Sequence, residues 1–124
     1  MDESQIVDFK DIENPPLAPE CKPKWNTKKR KKCTSNYIAT HVNKNFDPGL
    51  APELGFEGIT KIIVEFIIDK NGRVINIVAN GGPEIMNQNA VEVISQLPEF
   101  KPGIKDGKPV NIAYKMPITF MIHN

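Results

Sequence analysis

The chain has 124 residues, 40% apolar and 25% charged, with Lys+Arg 16 against Asp+Glu 15 and a formal net charge of +1. That length suits one domain with a single modest core, and the composition excludes wholesale disorder, collagen and coiled coil. Near-neutrality argues against nucleic acid or an anionic membrane as the main partner, and no apolar run approaches the roughly 20 residues of a membrane helix.

In chain order, Met1-Asp2-Glu3-Ser4-Gln5 lacks the basic and apolar regions of a signal peptide. Two readings stand: a cytosolic chain, or a fragment whose targeting segments lie outside it. Residues 1–13 form a leader with one short extended candidate, Ile6-Val7-Asp8-Phe9; the domain proper is expected over 14–124. Asn14-Pro15-Pro16-Leu17-Ala18-Pro19 cannot be helix and reads as an extended connector. Thr27 is placed to cap a helix that begins in Lys28-Lys29-Arg30-Lys31-Lys32. Cys33, Tyr37, Ile38, His41, Val42 and Phe46 then recur at helical spacing, as one buried stripe that ends at Asp47-Pro48-Gly49. A loop through Pro52 and Gly55 leads to Gly58.

Ile59 to Ile68 is β-rich, with Ile62, Val64, Phe66 and Ile68 on one face. Asp69-Lys70-Asn71-Gly72 is a turn, and Arg73 to Ala79 is the returning strand of a hairpin. Pro83 opens a second helix whose apolar stripe is Met86, Ala90, Val93, Ile94 and Leu97, with Pro98 as its stop. Turn signals at Pro102-Gly103 and Asp106-Gly107 fill the next loop. From Val110 to Ile122 apolar and other residues alternate strictly over 13 positions, enough for a strand of roughly 43 Å. The order helix, strand, strand, helix, strand predicts an α+β domain. Its two helices pack on one face of a small, mainly antiparallel three-stranded sheet, burying Phe66, Met86, Ile94, Tyr114 and Phe120. Pro117 inside the last strand favours an edge or a bulge, because proline cannot donate a ladder hydrogen bond.

No GxSxG, P-loop, HExxH or dinucleotide fingerprint is present. His41 lies on the first helix's apolar stripe and His123 beside the C-terminus, without a nucleophile or ligand pattern around them. The carboxylates fall mainly at loops and helix surfaces. The chain therefore reads as a non-enzyme with no cofactor and no metal site. The basic run Lys28–Lys32 has no interleaved aromatics beyond Trp25, which speaks against nucleic acid; a solvated helix turn or a contact with an acidic surface fits it. Cys21 and Cys33 lie 12 positions apart, too far for a redox pair and without partners for zinc. A disulfide or two reduced core thiols both fit that spacing.

Gly58, Val64, Phe66, Ile68, Asp69, Gly72 and Val74 resemble the central hairpin of the TonB C-terminal domain family. Met86, Ala90, Ile94 to Pro98, Phe100-Lys101-Pro102-Gly103, Gly107-Lys108-Pro109-Val110 and Pro117-Ile118-Thr119-Phe120 are similar to its second helix and last strand. Asn14-Pro15-Pro16 and the cysteine pair resemble a variant common in Bacteroidetes-type members, which implies a Cys21–Cys33 disulfide. The chain departs from the family at Phe100, usually Trp, and at Ala18-Pro19, often Tyr-Pro, just ahead of the first helix.

The resemblance implies a periplasmic domain, anchored to the inner membrane in the full-length protein and driven there by a proton-motive-force motor. It would grip the extended box segment of outer-membrane TonB-dependent transporters by strand addition and transmit force for nutrient uptake. The missing anchor and spacer favour the fragment reading. The alternative is a sensory or scaffolding TonB-like domain of a membrane-bound sensor metallopeptidase. A long terminal strand suits strand addition. The expected partner-binding residues are Val110, Asn111, Ile112, Ala113, Tyr114, Lys115, Met116, Ile118 and Thr119. An edge of this kind is open to two other occupants, the Ile6–Phe9 segment and, as a homodimer, a second copy.

Overall fold

Local chemistry explains where each element starts and stops. The computed structural model describes residues 6–46 and 58–122, with residues 120–122 by backbone alone. The helix stop at Asp47-Pro48-Gly49, the loop through Pro52 and Gly55, His123 and the Phe120 side chain lie outside the described residues. Seven elements run in order: β1 (Ile6–Asp8), α1 (Thr27–Asn45), β2 (Gly58–Ile68), β3 (Val74–Asn80), α2 (Glu84–Ser95), β4 (Gly103–Lys105) and β5 (Lys108–Ile122).

Asn26, not Thr27, caps α1: its Oδ1 accepts the Lys29 N–H at 2.8 Å. The Thr27 hydroxyl instead donates to the Glu13 carbonyl at 2.9 Å, tying the helix start to the connector. The buried stripe of α1 is Thr34, Ile38 and Val42, while Cys33, Tyr37 and Phe46 flank the core half-buried. Apolar periodicity alone passes over Thr34 because its polar atom needs partners that only the fold supplies. On α2 the fully buried residues include Met86, Ala90 and Ile94, and Pro83 precedes the first turn as expected.

At the β2–β3 turn, Asp69 Oδ1 accepts the N–H groups of Asn71 and Arg73 at 2.9 Å each. Gly72 adopts φ 83°, and a Cβ there would lie 1.8 Å from the Phe100 carbonyl oxygen. Its own carbonyl accepts the Phe100 N–H at 2.8 Å. Only glycine fits that approach.

The sheet has five strands, in the order β1-β5-β2-β3, with β4 paired to the start of β5. The three expected strands are thus joined by two more, and the sheet is mixed, because β1 runs parallel to β5. β4 lies within the proline- and glycine-rich loop and, at three residues, is too short to show a period. Its turn to β5 is Asp106-Gly107, with φ 53° and 77°, a two-residue hairpin loop closed by the Lys105–Lys108 pair. β2 and β5 pair antiparallel from Gly58↔Ile122 to Ile68↔Ile112 without a shift in register.

One core lies between the sheet and the helices. Ile62, Val64, Ile68 and Ile112 are fully buried, and Phe66 and Tyr114 are buried as expected, at ring centroids 5.2 Å apart. Pro15 to Ala18 is buried too, bridged to Lys101 by the reciprocal Leu17 and Lys101 backbone bonds of 3.0 and 2.9 Å. The expected connector is therefore part of the interior. Cys21 and Cys33 form a disulfide, with Cα atoms 5.9 Å apart.

Candidate functional site

β5 carries all the residues expected to bind a partner, and the fold sorts them by the direction of their backbone groups. The Phe9 N–H donates to the Ala113 carbonyl at 2.9 Å, so Ala113 faces β1. Backbone groups alternate along a strand, and the unbroken β2–β5 register carries that alternation forward. Lys115, Pro117, Thr119 and Met121 therefore aim their main-chain groups at the same outer edge as Ala113, whereas Tyr114, Met116 and Ile118 aim theirs at β2. The missing donor of Pro117 thus points outward and leaves the β2 ladder intact.

A free docking edge over the whole of Val110–Ile122 is not what the fold presents. Val110 aims its main-chain groups to the β2 side, where it pairs with Gly103 of β4, and on the outer edge Asn111, Ile112 and Ala113 align with Ile6, Val7 and Asp8 of β1. Asn111 is further engaged through its Oδ1, which accepts the Lys70 N–H at 3.1 Å. Among the described residues, the outer edge beyond Ala113 has no strand beside it. The available main-chain groups are the N–H and C=O of Lys115, Thr119 and Met121 and the C=O of Pro117.

Side chains of the nine residues divide between two faces. Val110, Ile112, Tyr114 and Ile118 are buried beneath the helices, and Met116 is half-buried there. Asn111, Ala113, Lys115 and Thr119 lie on the open face, with Lys115 opposite Glu65 of β2. Where β1 leaves the edge, Asp8, Phe9, Lys10, Ser35, Tyr114 and Lys115 line a recess of about 300 Å³. Phe9 closes its floor edge-on to Tyr114, at 4.8 Å between ring centroids. The Tyr114 hydroxyl donates to Ser35 Oγ at 3.1 Å. Burial raises the Tyr114 pKa above its ordinary 10.0, partly offset by the Ser35 hydrogen bond.

Among the described residues no three His, Cys, Asp or Glu side chains are grouped to hold a metal. His41 Nε2 stands 2.7 Å from the Val93 carbonyl, which makes it the donor and occupies it in joining α1 to α2. No helix among the described residues is long and apolar enough to cross a membrane. The Ile6–Phe9 segment, one of the two occupants the sequence offers for this edge, is the one beside it, with Phe9 hydrogen-bonded to Ala113. Ser35 is not foreseen as a neighbour, since it reaches β5 from α1.

Comparison with known proteins places this geometry. No curated protein matches the sequence. The NMR solution structure of the Helicobacter pylori TonB-CTD (residues 179-285) superposes with a TM-score of 0.53 at 20% identity, over 86% of this chain and 92% of that one. Shared fold is what that likeness shows. The family model described as Gram-negative bacterial TonB protein C-terminal matches residues 48–122, from the approach to β2 through the end of β5. By that match the chain belongs to the family of TonB protein C-terminal domains.

Proposed function

We propose that this domain is the periplasmic end of a TonB-type energy transducer, which binds an extended box segment of outer-membrane transporters. The observation that carries the reading is the outer edge of β5 from Lys115 onward, with main-chain donors and acceptors that no strand among the described residues covers. An added strand would take its affinity from these groups and place few demands on side chains, so one domain could serve several transporters. The recess lined by Phe9, Ser35 and Tyr114 offers the incoming strand one side-chain pocket beside the covered end of the edge. The same geometry supports a reading of force transmission. β5 is paired along Ile112–Ile122 with β2, so a pull on the added strand loads the central ladder. The motor in the inner membrane would act through a part of the protein outside this chain, and the domain itself works by binding, without catalysis.

Titration of the 15N-labelled protein with box peptides from candidate transporters, followed by backbone amide shifts, tests this. The expected footprint is Lys115, Thr119 and Met121, with lesser changes at Asn111 and Ala113. A footprint on β3, with β5 untouched, overturns the docking mode.

A further inference from the structure

The basic run noted in the sequence is only part of a larger asymmetry. Between Cys21 and Phe46 the chain carries eight Lys or Arg and no Asp or Glu, so the rest of the protein holds an excess of seven carboxylates. Helix geometry divides the run. Arg30 turns toward the connector and Lys31 toward the leader: Arg30 Nη1 donates to Asn14 Oδ1 at 3.2 Å, and Lys31 Nζ to the Lys10 carbonyl at 2.7 Å. Lys28, Lys29 and Lys32 face outward beside Trp25, with Lys29 Nζ 4.3 Å from the centre of its ring. Among the described residues the ion pair is Arg73–Glu99, remote from this cluster.

These lysines rim a groove on the outer face of α1. One cavity of about 610 Å³ lies against Trp25 and Lys29, and a second of about 500 Å³ lies against Tyr37 and His41. Cys33 and Asn36 line both, so the two lie side by side along α1. Lys28 marks one end and Lys44 the other, about 24 Å apart at helical rise. That length matches about seven residues of extended chain. The opposite wall is the segment from Pro19 to Trp25, fastened to α1 by the Cys21–Cys33 bridge. Thr34 and the Asn26 cap hold the same segment from either side of it. A groove braced this way is preformed, which lowers the ordering cost of binding.

We propose that this groove is a second docking surface, distinct from the β5 edge, that takes an acidic, extended peptide segment bearing an apolar anchor. Charge complementarity selects the acidic partner: a cationic rim with Glu20 as its one lining carboxylate. The aromatic floor selects the apolar side chain, since Trp25 and Tyr37 are each half-buried. A membrane would need those rings to protrude from a convex surface, and here they line a concave one.

Trp25 is the single tryptophan of the chain, so its fluorescence reports on the groove directly. The test titrates the whole protein with a capped seven-residue peptide of alternating Glu and Leu, with heptaglutamate and with phosphatidylglycerol vesicles. The Glu/Leu peptide is expected to shift Trp25 emission and the amides of Lys29, Asn36 and Tyr37. Replacing Lys28, Lys29 and Lys32 together by Glu should weaken it at least tenfold. Asn36→Arg, which fills the shared floor while adding positive charge, should weaken it as well. Circular dichroism confirms that each variant is folded. Equal binding of heptaglutamate, tighter binding by Asn36→Arg, or a Trp25 response to vesicles alone overturns the proposal. So does a footprint confined to Lys115–Met121, which would leave the β5 reading standing.

Discussion

Thr34 is fully buried and serves two backbone groups at once. Its hydroxyl donates to the Pro16 carbonyl at 2.8 Å and accepts the Ala18 N–H at 3.2 Å. Thr34→Val keeps the shape but strands both groups in the interior, and should cost about 2–3 kcal/mol. Thr34→Ser should recover most of it; thermal unfolding of the two variants checks this. Tyr114 gives a pH signature. Its pKa is raised in the folded state, so the neutral phenol favours folding. That contribution is complete below the unfolded pKa of about 10 and is lost as pH climbs through the folded value. Tyr114→Phe removes the titration: its stability curve should stay flatter above pH ~10, at a cost near neutrality of about 1 kcal/mol for the lost Ser35 bond. Denaturant melts from neutral to alkaline pH decide it. Gly72 shows how a turn residue can be legible without its reason being so. Asn71-Gly72 signals a turn, but the 1.8 Å approach of a Cβ to Phe100 comes from a segment far along the chain.

Two elements depend on pairings that join remote parts of the chain. The Cys21–Cys33 bridge closes a short loop, for which chain entropy estimates about 3 kcal/mol. Reduction should lower the melting temperature and expose Trp25, read by its emission. Spacing alone leaves the bridge open, because eleven intervening residues fit a disulfide, slightly the better reading, or two separate thiols. The folded distance between the cysteines settles which. β5 is the second case. Its alternation and Pro117 were plain in the sequence, but the direction of the missing donor required the register with β1 and β2. Pro117→Val restores an outward N–H without touching the β2 ladder. Little change in stability is expected, together with stronger self-association at high concentration, measured by sedimentation.

At the scale of the molecule, the N-terminal strand decides how much of the docking edge is open. β1 has three residues, with Val7 aligned to Ile112, and by alternation its N–H faces β5. Val7→Pro should detach the strand, lose amide protection at Asn111 and Ala113 in hydrogen exchange, and extend a bound box peptide's footprint toward Asn111. An unchanged footprint would mean that β1 does not limit the edge. The same strand brings Phe9 against Tyr114, so part of the loss should appear as lower stability.

The order of helices and long strands, the core faces of α2, β2 and β5 and the β2–β3 turn are legible in the sequence, because they follow from short-range periodicity and turn chemistry. The α1 stripe is legible only in part, since it runs through Thr34 while Cys33, Tyr37 and His41 lie half-buried. Phe66, Met86, Ile94 and Tyr114 were placed in the core by spacing alone, and they are buried there. The sequence offers Ile6–Phe9 as an extended segment and as one possible cover of the β5 edge, but only the fold pairs it there, adds β4, opens the edge beyond Ala113 and parts Arg30 and Lys31 from Lys28, Lys29 and Lys32. Each depends on contacts between remote parts of the chain: which edge a three-residue strand covers is set by main-chain groups far along the sequence, and Arg30 and Lys31 are turned by acceptors at Asn14 and Lys10.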